Sequence, residues 1–312
     1  MVLALGGNAI MSESRSFDAQ YRAVSAATKQ IASLVEEGYG IVITHGNGPQ
    51  VGDTLLRHEL AKRFVPPLPL FACVAETQGL LGFMIQASLL NHLNKIVGKR
   101  TRVASLISKV TVSAKDPAFK NPTKPIGPTY SNKEIDIITR MNPSSTFKEI
   151  TPNRYRRVVP SPNPISVVET EAVKELVEKQ YVVIACGGGG IPVIIDDKNR
   201  KNRIRFVDAV VDKDLTGALL ATSIKASKFI SLTDVDGVYL CYRSKKRKLL
   251  RKIKVDEMKT LLKRDEFEEG SMLPKVSAAI RFAENTGNKA IIANLNKIRQ
   301  ALKENSGTIV FK

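Results

Sequence analysis

The sequence predicts an α/β fold with a largely parallel central sheet and helices on both of its faces. Short apolar runs alternate with segments of helical periodicity almost throughout the 312 residues, a pattern typical of parallel strands joined by helices. Three of the apolar runs end in glycine-rich turns, and open parallel sheets bind their ligands at the carboxyl ends of the strands. Hydrophobic residues make up 43% of the chain and charged residues 25%, which is enough apolar material for a large core.

The first part of the chain predicts three strands and three helices. The strands are expected in the runs MVLAL, YGIVITHG and TRVASLISKVTV, which are apolar and short. Helices are expected over about 18–36, near 48–62 and over about 75–96. In the first of these the apolar residues recur at helical spacing, and Gly38 ends the pattern.

The last part of the chain continues the same alternation. The helix of SVVETEAVKELVEKQ leads into the strand YVVIACG, and the helical LTGALLATSI precedes the strand KFISLTDVDGVYL. The segment SMLPKVSAAIRFAENTG predicts a capped helix that begins at Ser271 and ends at Gly287. The run KAIIANL predicts the strand that follows it.

Residues 113–165 interrupt this order. The segment is rich in proline and polar residues and predicts irregular structure. A plain linker of this length is uncommon inside an α/β domain, so we expect a lid or excursion subdomain.

The chain is strongly basic. Its 48 Lys and Arg against 30 Asp and Glu give a formal net charge of +18, which favours anionic partners such as phosphorylated molecules or nucleic acid. The densest basic run, RSKKRKLLRKIK at 243–254, is interpreted as a solvated hairpin. Binding of nucleic acid by this run is the less favoured alternative, because no aromatic residues interleave with it.

The cysteines and the apolar segments point to a protein of the reducing cytosol. The three cysteines, Cys73, Cys186 and Cys241, are scattered and odd in number, which predicts neither a disulfide framework nor a zinc site. The most apolar stretch, at 79–90, is too short for a membrane span and contains Gln86. The first residues do not resemble a signal peptide.

The three glycine-rich turns, VLALGGN, VITHGNGPQ and IACGGGG, predict a site for phosphate. Bare backbone at neighbouring strand ends can direct several N–H groups at one anion, although any single turn is explained equally well as an ordinary tight turn. We therefore expect a phosphate to approach the glycine run at Gly187, Gly188 and Gly189. Neither G-x-x-x-x-G-K-[ST] nor a strict G-x-G-x-x-G is present, so ordinary P-loop and Rossmann proteins are excluded.

Three lysines stand where a nearby anion would explain them. Lys275 lies in the first turn of a predicted helix, where the helix dipole disfavours a cation unless an anion lies between them. Lys213 lies between Asp212 and Asp214 at the start of another helix, where a local ion pair is the alternative explanation. Lys124 lies in NPTKPIGP, whose prolines stiffen the loop and so fix where the lysine can reach.

Eight segments resemble the carbamate kinases of the amino-acid kinase superfamily. They span nearly the whole chain and read, in order, ALGGNA, THGNGPQVG, DPAFKNPTKPIGP, RRVVPSPNP, CGGGGIPV, VVDKDL, LTDVDGVY and GSMLPKVSAAIRF. The third and fourth are the most particular to this family, whereas the glycine turns and VVDKDL recur across the superfamily.

The resemblance implies both a fold and a reaction. The fold is a single three-layer αβα domain over 1–312 with a central eight-stranded sheet, a lid at 113–165, an acceptor-binding half near 1–200 and a nucleotide-binding half near 201–312. The reaction is reversible phosphoryl transfer between ATP and carbamate, giving ADP and carbamoyl phosphate, with Mg²⁺ bound together with the nucleotide. The resemblance also implies a cytoplasmic homodimer with no membrane partner, and it makes nucleic acid an unexpected one.

The resemblance also implies a set of site residues. Those that would surround the acceptor and the transferred phosphoryl group are Gly6, Gly7, Asn8, Gly46, Asn47 and Gly48. Lys124, Lys213 and Lys275 would neutralise charge, and Asp214 would orient them. Those that would border the adenine nucleotide are Asp234, Asp236, Gly237, Val238, Tyr239 and Met272.

The chemistry implied by the resemblance needs positive charge more than it needs a base. Carbamate is already an anion, so we interpret His45 as a packing residue beneath its turn rather than as a general base. Catalysis would then rest on positioning and on charge stabilisation by lysines, Mg²⁺ and backbone N–H groups. A kinase for a larger carboxylate and a nucleic-acid-binding protein on a kinase fold are the alternatives.

The sequence departs from the family at one motif. Carbamate kinases usually carry Gly-Arg-Gly-Trp-Arg before RVVPSP, whereas this chain reads TPNRYRRVVPSP. Tyr155 is able to replace the packing of the tryptophan. The loss of both glycines predicts an altered hinge in the lid.

Overall fold

Strands and helices alternate along the first 112 residues of the computed structural model, which describes residues 1–10, 14–96, 102–141, 143, 145–196, 203–242, 244, 246–264, 266–267 and 271–312. The elements are, in order, β1 (Val2–Leu5), α1 (Phe17–Glu36), β2 (Val42–His45), α2 (Gly48–Ala61), α3 (Leu70–Ile96), β3 (Arg102–Ser105) and β4 (Lys109–Val112). The three predicted helices are confirmed, although α3 begins earlier than the predicted residue 75. The single strand predicted from TRVASLISKVTV is two strands, which belong to different sheets.

The proline-rich segment is folded into regular elements, so the expectation of irregular structure is wrong. It contains, in order, β5 (Lys124–Ser131), α4 (Asn132–Met141), β6 (Thr146–Thr151) and β7 (Arg154–Val159). The strands form a separate antiparallel sheet in the order β5-β7-β6, which we call the outer sheet. No residue of β6 is buried, and a strand without a buried face gives no alternating pattern in the sequence.

The remaining elements include both helices that alternate with strands and runs of consecutive strands. They are, in order, β8 (Pro164–Val167), α5 (Thr170–Glu178), β9 (Tyr181–Ile184), β10 (Ile191–Asp196), β11 (Arg203–Phe206), α6 (Lys213–Ser223), β12 (Phe229–Thr233), β13 (Tyr239–Leu240), β14 (Lys248–Leu249), β15 (Lys252–Lys254), α7 (Val255–Leu262), α8 (Met272–Thr286), β16 (Ala290–Asn294), α9 (Ile298–Leu302) and β17 (Thr308–Phe311). The predicted bounds of α8 are confirmed, with Ser271 before the helix and Gly287 after it at φ +70°. The side chain of Ser271, however, forms no capping hydrogen bond.

The central sheet has eight strands in the order β15-β17-β16-β12-β1-β2-β9-β3, as predicted. Every neighbouring pair in it is parallel except β16 and β17. Consequently β1, β2 and β12 lie side by side and end at the same edge of the sheet.

Both faces of this sheet are buried, which produces three layers. Along β1, Val2 and Ala4 belong to one apolar cluster and Leu3 and Leu5 to another, because successive side chains of a strand point to opposite faces. Helices α6 and α8 cover the first face, and α1 and α3 cover the second. The predicted αβα architecture is therefore confirmed.

Helix α3 is longer and more apolar than the sequence pattern suggests. By length and composition alone Leu70–Asn94, with a mean hydropathy of 1.3, could cross a membrane, which corrects the expectation that no stretch is long enough. Half of the most apolar 18-residue stretch of this helix is buried inside the protein. The hydroxyls of Thr28 on α1 and Ser88 on α3 form a buried hydrogen bond of 2.7 Å. The core helix of a globular domain passes the same test of composition.

Candidate active site

A cavity of about 310 Å³ lies at the carboxyl ends of β1, β2 and β12. The turns after β1 and β2 form one wall, and the first turns of α6 and α8 form another. The outer sheet contributes Lys124 and Arg156. The cavity therefore lies where an open parallel sheet is expected to bind its ligand.

The three predicted lysines meet in this cavity, and each is held by a carboxylate. The Nζ atom of Lys213 lies 2.6 Å from Oδ2 of Asp214, and that of Lys275 lies 3.2 Å from the same oxygen. The Nζ atom of Lys124 lies 2.6 Å from Oδ2 of Asp212. The ion pair proposed as the alternative for Lys213 thus exists, yet the lysine still lines the cavity.

Asp214 is the carboxylate on which two of the lysines converge. It is only 2% exposed, and its Oδ1 also accepts a hydrogen bond of 2.6 Å from Ser231 Oγ. Burial alone would raise the pKa of Asp214, but the two ammonium groups and Ser231 outweigh burial and hold this pKa below its usual range. Asp214 is therefore ionised at neutral pH and lies between two cations.

The two lysines respond differently to burial. Burial lowers the pKa of Lys275 to about 8, although Asp214 acts in the opposite direction. For Lys213, burial also opposes the charge, but Asp214 and Asp212 outweigh it and raise the pKa. Lys275 is thus the cation of the cavity whose charge depends on pH near the physiological range.

Asp212 connects the outer sheet to α6, a role that the sequence did not reveal. As the residue before α6 it accepts a hydrogen bond of 2.9 Å from the backbone N–H of Asp214, and it also binds Lys124. Burial would raise the pKa of Asp212, yet Lys124 and Lys213 hold it below its usual value. An aspartate before a helix was the available signal.

The glycine run is packed against protein atoms. A Cβ at Gly187 would lie 2.4 Å from His45 Nε2, and one at Gly189 would lie 2.1 Å from the carbonyl oxygen of Val211. A Cβ at Gly188 would lie 2.2 Å from Asn47 Nδ2, and the φ of Gly188 is +64°. Of the run's predicted site residues, only Gly188 lines the cavity, so close packing, and not an approaching phosphate, explains the other glycines.

His45 is buried beneath the glycine turn that follows β2, in agreement with its interpretation as a packing residue. Its side chain is 1% exposed, and its Nδ1–H donates to the carbonyl oxygen of Gly46 at 3.0 Å. Burial lowers its pKa to about 4, so the ring is neutral at physiological pH.

The first two glycine turns do border the cavity. Gly6, Gly7, Gly46, Asn47 and Gly48 line it. A Cβ at Gly46 would lie 3.2 Å from the aliphatic stem of Lys213, so the missing side chain leaves room for that lysine. The backbone of Asn8 lies in the short turn Gly7–Ile10, and its side chain lies outside the described residues.

The side chain of Asn47 is held in place by a hydrogen bond to α3. Its side-chain Nδ2 donates to Thr77 Oγ1 at 2.8 Å, and Thr77 in turn donates to the backbone oxygens of Cys73 and Val74 on α3. The second turn is therefore tied to α3.

A second cavity of about 210 Å³ adjoins the first, and Thr233, Asp234 and Ser271 line both. Of the predicted nucleotide residues, those that line it are Asp234, Gly237, Tyr239 and Met272. Val238 is fully buried in the core, and Asp236 forms an ion pair of 2.8 Å with Lys297 away from the cavity. The lining residues that the sequence analysis missed include Tyr242, Glu266 and Phe267.

Arg156 is the cationic side chain of the first cavity that the sequence analysis missed. Its Nη2 donates to the carbonyl oxygen of Gly127 at 2.8 Å, whereas its Nε is buried without a hydrogen-bond partner. Burial, with a further contribution from Arg15, lowers its pKa. The final arginine of the motif Gly-Arg-Gly-Trp-Arg was the signal that would have found it.

The altered motif forms a tight turn between β6 and β7. Asn153 takes the left-handed conformation there, with φ +60°, which asparagine tolerates better than most residues. Its backbone N–H donates to Glu149 Oε1 at 2.7 Å, and its Oδ1 accepts from Asn132 Nδ2 at 2.7 Å. Asparagine thus takes a role that glycine commonly fills.

The known proteins that are similar to this chain match it over almost its whole length. The amino acid kinase family matches residues 1–294. The chain is 43% identical to the carbamate kinase of Lentilactobacillus hilgardii over 313 residues, which cover 100% of this chain and 97% of that protein. It is 43% identical to the carbamate kinase of Pyrococcus furiosus over 314 residues, which cover 99% and 98% of the two chains.

A solved structure agrees with these relatives. The carbamate kinase from Giardia lamblia bound to AMP-PNP matches with a TM-score of 0.90 and 36% identity, covering 100% of this chain and 98% of that one. The chain therefore belongs to the amino acid kinase family and, within it, to the carbamate kinases.

Proposed function

We propose that this protein catalyses reversible phosphoryl transfer between ATP and carbamate through the first cavity. The observation that carries the proposal is the convergence of Lys124, Lys213 and Lys275 on one cavity beside a second, partly aromatic one. Bringing two anions together is the main difficulty of such a reaction, and fixed cations reduce it. The carbamate kinases that match this chain over almost its full length favour this reaction over the phosphorylation of a larger carboxylate.

The nucleotide would lie across both cavities. Tyr239, Tyr242 and Phe267 offer aromatic surface to a base in the second cavity. Its phosphates would pass Asp234 and Ser271 toward the lysines, because these two residues line both cavities. The similar carbamate kinase from Giardia lamblia binds AMP-PNP, which supports a nucleotide as the ligand of these cavities.

The acceptor needs no general base. The carboxylates of Asp212 and Asp214 are each engaged by lysine, and His45 is buried and neutral. Carbamate is an anion, so its oxygen can attack the terminal phosphorus without losing a proton. The lysines, Arg156 and the N–H groups of the first two turns would stabilise the charge that spreads over the transferred group.

The residues of the cavity fit a magnesium ion that arrives with the nucleotide. Among the described residues, no three His, Cys, Asp or Glu side chains of this cavity have their ligand atoms all within 4.8 Å of one another. Mg²⁺ in kinases is commonly held by one or two carboxylates together with substrate phosphates, and Asp234 is the carboxylate at the junction of the cavities. When bound, the ion would neutralise phosphate charge.

We further propose a cytoplasmic homodimer. Leu80 and Phe83 share one face of α3 and are 41% and 55% exposed. Gly82 packs against Ser105 of β3, close to Ile107, which is 48% exposed. A second copy would cover this apolar surface, and Phe83→Glu should then release monomers in analytical ultracentrifugation.

The three free cysteines fit a reducing compartment.

Nucleic acid is a less suitable partner. In the described part of the basic run, the guanidinium of Arg247 lies 5.9 Å from the ring centre of Tyr239, a wall of the second cavity. This contact associates the basic run with the nucleotide site.

The test is an assay in both directions. Purified protein should form ATP from ADP, carbamoyl phosphate and Mg²⁺, and Lys213→Ala should lower kcat by about 10²–10³-fold. Lys254→Ala, at an exposed lysine on β15, is the control and should retain activity. Phosphorylation of another carboxylate in place of carbamate would refute the assigned acceptor.

A further inference from the structure

Three side chains with metal-binding atoms meet outside both cavities. His58 lies on α2, and Cys73 and Glu76 lie on α3. Their ligand atoms all lie within 4.8 Å of one another, and His58 Nε2 lies 3.4 Å from Glu76 Oε2. None of the three lines either cavity described above.

We propose that His58, Cys73 and Glu76 bind a divalent transition metal ion of the zinc class and so clasp α2 to α3. An imidazole, a thiolate and a carboxylate are all ligands of zinc, and three protein ligands with one water complete a tetrahedral site. Ligands of a tetrahedral zinc ion lie roughly 3.6 Å apart, so the observed spacing needs only small side-chain movements to close around an ion.

The burial of the three residues leaves a route and a position for water. Cys73 is fully buried, whereas the side chains of His58 and Glu76 are 24% and 48% exposed. The ion would enter from the Glu76 side, and its fourth position would face solvent.

The surrounding charges favour a cation. Burial, together with Glu76 and Asp208, raises the pKa of the Cys73 thiol to about 11. The two carboxylates that disfavour a thiolate are the same groups that attract a dication. Arg157 is the nearby positive group, and it is paired with Glu59, since its Nη1 lies 2.7 Å from Glu59 Oε1.

The cluster is also connected to the active site. The backbone oxygen of Cys73 accepts a hydrogen bond of 3.0 Å from Thr77, whose hydroxyl holds Asn47 at the edge of the first cavity. An ion on Cys73 would therefore stiffen the helix that supports the second glycine turn.

The sequence analysis predicted no zinc site, because the ligands of this cluster come from two helices. Only Cys73 and Glu76 are close in sequence, and their spacing places them on one face of a helix.

Cobalt(II) is the probe for the experiment, because a thiolate ligand gives it a charge-transfer band in the near ultraviolet. The full-length protein is titrated with Co²⁺ without nucleotide and in excess Mg²⁺, which prefers oxygen ligands. We expect one Co²⁺ per chain with that band. Replacement by Zn²⁺ should remove the band and raise the melting temperature by a few degrees.

Matched variants identify the ligands. His58→Gln changes a partly exposed position and Cys73→Ala removes the thiol, and each should lose the band and weaken metal binding at least about tenfold. His92→Gln and Cys241→Ser are the controls, since both residues lie outside the cluster, and both should behave like the parent protein. The absence of a band in the parent, or a band that persists in Cys73→Ala, would overturn the proposal.

Discussion

Replacing Asp214 by Asn would leave the ammonium groups of Lys213 and Lys275 close together without the carboxylate that lies between them. The two lysines contact Oδ2 of Asp214 at 2.6 and 3.2 Å, and the residue is 2% exposed. The asparagine oxygen can still accept a hydrogen bond from Ser231, so the substitution removes charge with little change of shape.

The loss of stability follows from this geometry. Removing one partner of a buried ion pair typically costs about 3–5 kcal/mol in the free energy of unfolding. We expect the lower end, about 3 kcal/mol, because the amide retains part of the hydrogen bonding. Urea denaturation of both proteins measures this difference.

The effect on catalysis works through the charge of Lys275. Its pKa is about 8 even though Asp214 raises it, so at neutral pH about nine-tenths of the molecules carry the charge. Without Asp214 this pKa falls, and a fall of about two units would leave only about a tenth of them charged at neutral pH. Displacement of Lys213 adds to this loss, and we expect kcat/KM to fall by about 10²-fold or more.

The pH dependence of kcat/KM separates this explanation from general damage. A lysine acts here as a cation, so activity is present below its pKa and is lost as pH rises through it. For the parent protein the decline should be centred near pH 8, the pKa of Lys275. For Asp214→Asn the same decline should move to lower pH, whereas Ser231→Ala, which removes no charge, should shift it little. An unchanged profile in Asp214→Asn would refute the reasoning.

The other predictions concern the glycine run, Arg156 and the metal. Gly188→Ala should lower the free energy of unfolding by more than about 1 kcal/mol and should also lower activity, because the new Cβ would displace Asn47 and the φ of this residue is +64°. Gly79→Ala is the control in the same thermal and kinetic assays, since no atom lies within 4 Å of the Cβ position there. Arg156→Gln should lower kcat/KM by about 10²-fold, because it removes a cation of the cavity. The melting temperature should fall only slightly, because the variant loses the hydrogen bond from Nη2 to Gly127 but also removes a buried Nε that has no partner. Retained turnover would remove Arg156 from the site. EDTA should abolish ATP formation and added Mg²⁺ restore it; turnover in EDTA would contradict the proposed role of the ion.

The lysines of the site were predictable from their local context, and Lys275 most clearly because it violates a local rule. A lysine in the first turn of a helix, as at Lys275, is unfavourable unless something compensates for it. The structure supplies that compensation as Asp214, which is distant in the sequence. Local reasoning could therefore detect the anomaly, whereas the identity of the compensating group near Lys275 depended on the family resemblance.

Two of the predicted nucleotide residues, Asp236 and Val238, do not line the second cavity, and the cause is different. Asp236 and Val238 were predicted together with Tyr239 as one continuous segment, yet Val238 is buried in the core and Tyr239 lines the cavity. Neighbouring residues of an extended chain point to opposite sides, so a continuous stretch cannot line one cavity. Phe267 was missed because nothing in its local pattern brings it to the end of β12.

The glycine run shows how one sequence signal can have two causes. Phosphate binding and close packing both require an absent side chain, and the sequence cannot separate them. At Gly187 and Gly189 the atoms that exclude a side chain are His45 Nε2 and the carbonyl oxygen of Val211. Those contacts join segments far apart in the chain, so only the folded arrangement reveals them.

The ion pairs of the cavity also explain how so many cations are held together before a substrate arrives. Lys124, Lys213, Lys275 and Arg156 line it, and Asp212 and Asp214 offset part of their charge. Both carboxylates are fixed by the fold, Asp212 by the first backbone N–H groups of α6 and Asp214 by Ser231. They therefore remain in place when an anion binds, and the remaining positive charge, together with the dipoles of α6 and α8, is directed at the ligand. Removing either aspartate should thus weaken catalysis through the lysines, even though a negative group near a phosphate would by itself be unfavourable.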